Sequence, residues 1–209
     1  MKVIKTEFLI KFLLCLSVSS SVVASESLKE AFSEHFLMGT IWHGHDVNGK
    51  KNTFLEKEKE ITLREFNSIT AENVMKPHYI QPKKGKFKFK AADEMVNFAT
   101  KNNRTIVGHS LVWKNSAPDW FFQDRNGNQV SREVLIERLK THIQTVVSRY
   151  KGKIAYWDVV NEAIETKWNP RTQSYDAFYK PCPWLDIIIR FSVCHLFIPH
   201  CVFTNRSRR

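Results

Sequence analysis

From residue 26 onward, short apolar runs alternate with longer stretches in which apolar residues recur every three or four positions. Phe36–Thr40 (FLMGT) predicts a short strand, and a helix is expected around Glu58–Asn67. Ser68–Glu72 (SITAE) predicts a second strand. Beyond a Lys-rich stretch, Ala91–Asn102 carries a helical pattern and Thr105–Trp113 (TIVGHSLVW) predicts a third strand. The longest period runs from about Arg132 to Tyr150. Leu135, Leu139, Ile143, Val146, Val147 and Tyr150 share one face there, and Ser131 stands where an N-cap belongs. Ile154–Val160 predicts a fourth strand. Strands alternating with helices imply a parallel sheet with right-handed crossovers, an α/β class.

Polar residues gather where these strands end. Glu72 and Asn73 close the second, His109 and Trp113 lie late in the third, and Asn161 and Glu162 follow the fourth. A (β/α)8 barrel builds its active site at that face. A doubly wound sheet binds ligands at its carboxyl edge too, but no Gly-rich phosphate loop follows any strand here.

Composition narrows the class. Of 209 residues, 43% are hydrophobic and 25% charged, a globular balance. Residues 1–24 stand apart: Lys2, Lys5 and Lys11 precede an apolar stretch that closes on Val22-Val23-Ala24. This predicts a secretory signal cut near Ala24 and a secreted or periplasmic protein. The stretch is too short and Ser-rich to span a membrane. The net charge of +11 invites a nucleic-acid reading, yet the basic residues are scattered and no Arg-rich helix appears. The densest run, QPKKGKFKFK at 81–90, is expected to be a basic surface loop. No nucleic-acid or membrane partner is expected. Residues 25–181 hold no cysteine, so neither disulfides nor a thiolate metal site organise them. His43 and His45 in WHGHD lack a clear third ligand and read as an exposed loop, so no metal or cofactor is expected.

Four stretches together resemble glycoside hydrolase family 10, the xylanase family. They are FLMGT (36–40), EFNSITAENVMKP (65–77), VGHSLVW (107–113) with Pro118 and Trp120 beyond it, and RYKGKIAYWDVVNEAIE (149–165). Their order and spacing fit from about residue 27 to about 179. The resemblance implies the N-terminal part of a (β/α)8 barrel, spanning about four βα units, that acts on xylan or xylo-oligosaccharides.

The chemistry asks for these residue types. Glycoside cleavage needs a carboxylic acid to protonate the departing oxygen and a second carboxylate to stabilise or attack the oxocarbenium ion. The resemblance makes Glu162 the proton donor and later the general base. Tyr156, Trp157 and Val160 are expected to desolvate it. Asn161 would hydrogen-bond a sugar hydroxyl at the scissile bond. Glu72, Asn73 and Lys76 would hold the next sugar on the non-reducing side, with His109 and Trp113 lining the cleaved sugar's site. Trp157 reads as core, so that Asp158 should reach a buried polar partner.

Two features depart from the family. Lys114 and Ser116 stand where the pattern has His and Gln, and no segment matches the Thr-Glu-Leu-Asp that carries the family's nucleophile. From residue 181 the chain turns rich in Cys, Ile, Phe and Pro. It reads as an atypical, frameshift-like tail without a helical period. One carboxylate alone cannot run the retaining reaction, so the expected function is an endo-1,4-beta-xylanase type inactive in this truncated form. Two alternatives are a non-catalytic sugar-binding remnant and a barrel glycosidase acting on another beta-glycan.

Overall fold

A computed structural model describes residues 26–44 and 55–187. The signal segment, His45 and the tail beyond 187 lie outside the described residues. Four strands form one parallel sheet in sequence order: β1 (Gly39–Trp42), β2 (Ser68–Ala71), β3 (Thr105–Trp113) and β4 (Tyr156–Asn161). Helix α1 (Leu28–Ala31) precedes them. Between strands run α2 (Leu55–Glu65), α3 (Pro77–Ile80), α4 (Lys90–Lys101) and the long α5 (Arg132–Arg149).

Most elements stand where the periodicity puts them, with shifted ends. The first strand begins three residues later than expected, because parallel pairing starts at Gly39 opposite Ser68. Phe36 is left outside, its ring stacked on Phe32 at 5.0 Å. The third strand matches its predicted span, and its inward residues alternate in burial as far as Ser110. Helix α5 buries Leu135, Leu139, Ile143 and Val146 as its period required, and Ser131 Oγ accepts from Val134 N at 3.4 Å. It also buries His142, which the apolar pattern had passed over.

The Lys-rich run 81–90 corrects in part. Its lysines are exposed around a turn at Gly85, where φ is +69°. Gln81, however, is buried, and Phe87 and Phe89 stack on each other at 5.3 Å and lean on His142 and Tyr150. The alternation of Lys and Phe is thus a half-buried edge, with only its charged side in water.

Besides the short helices α1 and α3, a hairpin and the helix after it had no counterpart in the sequence reading. An antiparallel hairpin, β5 (Ile164–Asn169) and β6 (Ser174–Tyr179), leaves the end of β4. Helix α6 (Pro183–Ile187) follows it and buries Trp184 against Phe121 and Phe122, with ring centroids at 5.2 and 4.6 Å. Apolar Trp184 and Ile187, one helical turn apart, close the core.

Helices α4 and α5 are tied by a polar clamp. Asp93 accepts from Arg149 Nε at 2.9 Å and from Tyr150 Oη at 3.0 Å, while the guanidinium lies 4.3 Å over the Phe89 ring. The bonded guanidinium holds the Asp93 carboxyl below its usual range. That contribution is complete above pH 4 and is lost as pH falls through the depressed folded value. The groups are partly exposed, so Asp93→Asn is expected to cost about 1 kcal/mol or less at pH 7. Urea midpoints of the two proteins should draw together as the measurement is repeated at successively lower pH below 4.

Candidate functional site

The parallel sheet places the ends of β1 to β4 along one edge, and the side chains there are polar. Glu72 and Asn73 follow β2 directly. Lys76 sits in front of α3, whose Pro77 takes the first helical position without an N–H to leave unbonded. Its Nζ donates to Asn73 Oδ1 at 2.9 Å and lies 4.6 Å over the Trp113 ring. Trp113, the last residue of β3, is paired in register with Asn161, the last of β4. Glu162 comes next, with φ at +51°, an αL conformation unusual for Glu.

Partial burial lowers the Lys76 ammonium pKa, and the carboxylates of Glu72 and Glu162 oppose that shift. Bonded to Asn73 and stacked on Trp113, Lys76 joins the ends of β2 and β3, and the pairing of Trp113 with Asn161 adds the end of β4. The expected set Glu72, Asn73, Lys76, Trp113, Asn161 and Glu162 is thus brought to one edge.

His109 belongs to the same end of the sheet. Its ring centroid is 6.5 Å from that of Trp113, and its Nδ1 is 2.9 Å from Asp158 Oδ2. A carboxylate only accepts, so Nδ1 carries the proton and Nε2 is the atom left for a ligand. Asp158 has found the polar partner its position called for. The register of β3 on β4 shifts between His109 and Val112, and such an irregularity re-aims side chains.

Trp157 packs on the core beneath Gly108, where any Cβ would meet its ring at 2.3 Å. Gly108 is therefore a packing requirement of the strand that carries His109. Gly108→Ala is expected to lower stability by about 1–3 kcal/mol through overpacking. A thermal melt and the tryptophan near-UV spectrum would check it, the spectrum because the indole must move.

Two residues enter the cluster unannounced. His43, in the loop directly after β1 and with its side chain 41% exposed, places Nε2 3.4 Å from Glu72 Oε2 and Nδ1 3.7 Å from Glu58 Oε1. Following β1, it shares the edge with Glu72, a cue the strand ends already contained. Lys180, just past β6, brings Nζ to 3.5 Å from Glu162 Oε2, and its backbone N donates to Ala163 O at 2.9 Å.

The surroundings of Glu162 also differ from expectation. Its side chain is 44% exposed, and Tyr156, at the opposite end of β4, is itself exposed. An aromatic enclosure from Tyr156 does not form, because the strand is six residues long and β4 is the sheet's outer strand. Lys114 and Ser116 form a 3-10 turn after Trp113, with Ser116 buried and Lys114 half-buried.

Comparison with known proteins bears on this edge. The family model described as Glycosyl hydrolase family 10 matches residues 27–185. Endo-1,4-beta-xylanase B of Paenibacillus barcinonensis is 43% identical over 162 residues, which are 78% of this chain and 44% of that one. The crystal structure of xylanase XynB from Paenibacillus barcinonensis, complexed with a conduramine derivative, superposes with a TM-score of 0.69 at 38% identity. The overlap covers 79% of this chain and 46% of that one. A further solved structure, in complex with xylotriose, gives a TM-score of 0.66 at 36% identity over 78% and 45% of the two chains. The chain spans less than half the length of each of these relatives.

Proposed function

The chain belongs to glycosyl hydrolase family 10, a TIM-barrel glycosidase family, and we propose from that premise that it forms the sugar-binding and proton-donating part of a retaining endo-1,4-beta-xylanase. Glu162 is the proton donor and then the general base. Asn161 binds the sugar at the scissile bond, His109 and Trp113 line the cleaved sugar's site, and Glu72, Asn73 and Lys76 hold the next one. The supporting observation is geometric: Lys76 Nζ bonds Asn73 Oδ1 at 2.9 Å and lies 4.6 Å over the ring of Trp113, which pairs in register with Asn161 beside Glu162.

Each contact has a physical reason. An indole face takes the C–H face of a pyranose, and the carboxylate, amide and ammonium beside it offer acceptors and donors to the ring hydroxyls. Glu162, just past the end of β4, is assigned to the departing glycosidic oxygen. The second carboxylate that the two-step reaction needs has no match in the sequence. The 209-residue chain is therefore expected to bind xylo-oligosaccharides without cleaving them. Titration with xylotriose, followed by the Trp113 indole N–H resonance, should saturate, and Lys76→Ala should weaken it. A zymogram on xylan should stay blank. A clearing zone at ordinary enzyme levels would overturn the non-cleaving half of the proposal, and an unmoved Trp113 resonance would overturn the binding half.

Export belongs to the same proposal. Residues 1–24 read as a leader, and the mature N-terminus is expected at Ser25. Sequencing the N-terminus of the exported protein would check it.

A further inference from the structure

The chain that follows α3 and the chain that follows β3 meet around a cavity of about 400 Å3. None of Glu72, Trp113 and Glu162 lines it. Pro82, Pro118 and the half-buried ring of Trp120 form its apolar wall. That indole is fixed in place. Its Nε1 donates to Gln81 O at 3.0 Å, the ring stacks on Phe121 at 3.9 Å, and Arg138 Nη1 donates to the Trp120 carbonyl. At the rim stand Lys83, Lys84 and His78, all exposed, with the Asp119 carboxylate beside them. A tight turn sets the two lysines side by side. Lys86 N donates to Lys83 O at 2.9 Å, and Gly85, third in the turn, takes the positive φ of +69° that glycine supplies. Neither ammonium is paired with a carboxylate among the described residues.

We propose that this cavity binds a pyranose carrying a carboxylate, that is, a uronic acid residue of an acidic glycan. The indole and the prolines give the sugar ring an apolar wall, and the two ammonium groups give its carboxylate a countercharge. Asp119, an acceptor only, is left for the ring hydroxyls. The volume stands at the small end of the range for ligand sites, as a ligand of one or two rings asks. The site stands apart from the reading of Glu162 and Trp113 as a xylan groove. It is nonetheless near that groove in the chain: α3 joins it to Lys76, and the Lys114–Ser116 turn joins it to Trp113. The uronate can therefore come as a branch of a xylan held in the groove or as part of a separate acidic chain. The ring and its carboxylate are the same in both.

The same residues argue against a phosphate. Among the described residues no arginine lines the cavity to grip a phosphate bidentately, and Asp119 would repel a dianion. They argue against a nucleic acid as well. Phe87 and Phe89, the aromatics of the Lys-rich run, stack on each other and lean on His142 and Tyr150, so they are not offered to bases.

Titration of the full chain with sodium glucuronate at constant ionic strength, followed by the indole N–H resonances, tests this. The Trp120 resonance should move and saturate while that of Trp113 stays. Glucose and acetate, which each carry half of the ligand, should move it far less. Lys83→Ala with Lys84→Ala is expected to weaken glucuronate binding about tenfold, the scale of two lost charge-assisted contacts. Lys101→Ala with Lys151→Ala removes the same charge at the end of the sheet where β3 and β4 begin, and should change little. Circular dichroism should be unchanged, since all four lysines are exposed. Retention of the chain by polygalacturonate, kept in Lys76→Ala, would support a separate acidic glycan. Retention by glucuronoxylan alone, lost in Lys76→Ala, would support a branch of the groove-held chain. An equal response to acetate, tighter binding of inorganic phosphate, or a rim variant that binds like the parent would overturn the proposal. So would a shift at Trp113 in place of Trp120. Xylotriose failing to move Trp113 while glucuronate still moves Trp120 would remove the groove reading and leave this site standing.

Discussion

In a chimera joining residues 26–187 to the complementary barrel half of a family relative, Glu162→Ala is expected to lower xylan hydrolysis by about a hundredfold to ten-thousandfold. The loss should shrink sharply on an aryl xyloside whose leaving group departs without a proton. The asymmetry arises because general acid catalysis acts on the departing oxygen. An activated phenolate needs no donor in the first step, so only the later base role of Glu162 remains. Adding azide to the variant should then restore turnover of the aryl xyloside, since a small anion can occupy the space the carboxylate leaves. Equal losses on both substrates, with no rescue, would take Glu162 out of the acid role.

The second large effect concerns stability and pH. His142 is fully buried, and its Nδ1 is 2.7 Å from Gln81 Oε1, an arrangement that makes the imidazole a neutral donor. Burial depresses its pKa to about 4 from 6.5, against a smaller opposing pull from the Leu111 backbone. In the unfolded chain the same imidazole takes up a proton near pH 6.5. Between about pH 6.5 and 4 the unfolded state therefore binds more protons, and stability must fall as pH falls through that window. A shift of this size corresponds to about 3 kcal/mol, lost progressively and levelling off below pH 4. The group sits at a hub. Gln81 O also accepts from Trp120 Nε1 at 3.0 Å, and Phe121 meets the His142 ring edge-on at 5.5 Å. Protonation would thus strain the contact between α5 and the turn that follows β3. Urea titrations at pH 7 and pH 4.5 should differ strongly for the parent chain. They should differ much less for His142→Gln, which keeps a polar partner for Gln81 but does not titrate. An equal acid loss in both proteins would assign it to carboxylates elsewhere.

The residues that the sequence made legible share a property: their signal is local. The period of α5 was readable because a helix must repeat its apolar face every 3.6 residues, whatever it packs against. Thr105–Trp113 was readable because Ile106, Val107, Leu111, Val112 and Trp113 crowd aliphatic and aromatic residues into a strand's length. The four family-like stretches lie at strand ends, so the edge on which Glu72, His109, Trp113 and Glu162 meet followed once parallel strands were accepted. The hairpin was missed although Ile164, Thr166 and Trp168 alternate with Glu165, Lys167 and Asn169. The pattern was present, but it sat past the last family-like motif and its two-faced character pointed to no core. Gln81 and His142 were missed for a different reason. Each is polar and would be placed in water on composition alone; only their mutual hydrogen bond makes burial tolerable.

By itself, then, the order of residues determined the four strands of the sheet and the longer helices between them, that those strands run parallel, and which polar groups stand at their ends. Contact between those groups was decided by tertiary structure. Lys76 lies over Trp113, His43 beside Glu72, and Lys180 against Glu162 only because strand register and loop return bring distant parts of the chain together. Period is a property of neighbours in sequence, whereas register and burial depend on what packs opposite, and no short stretch of sequence contains its own partner.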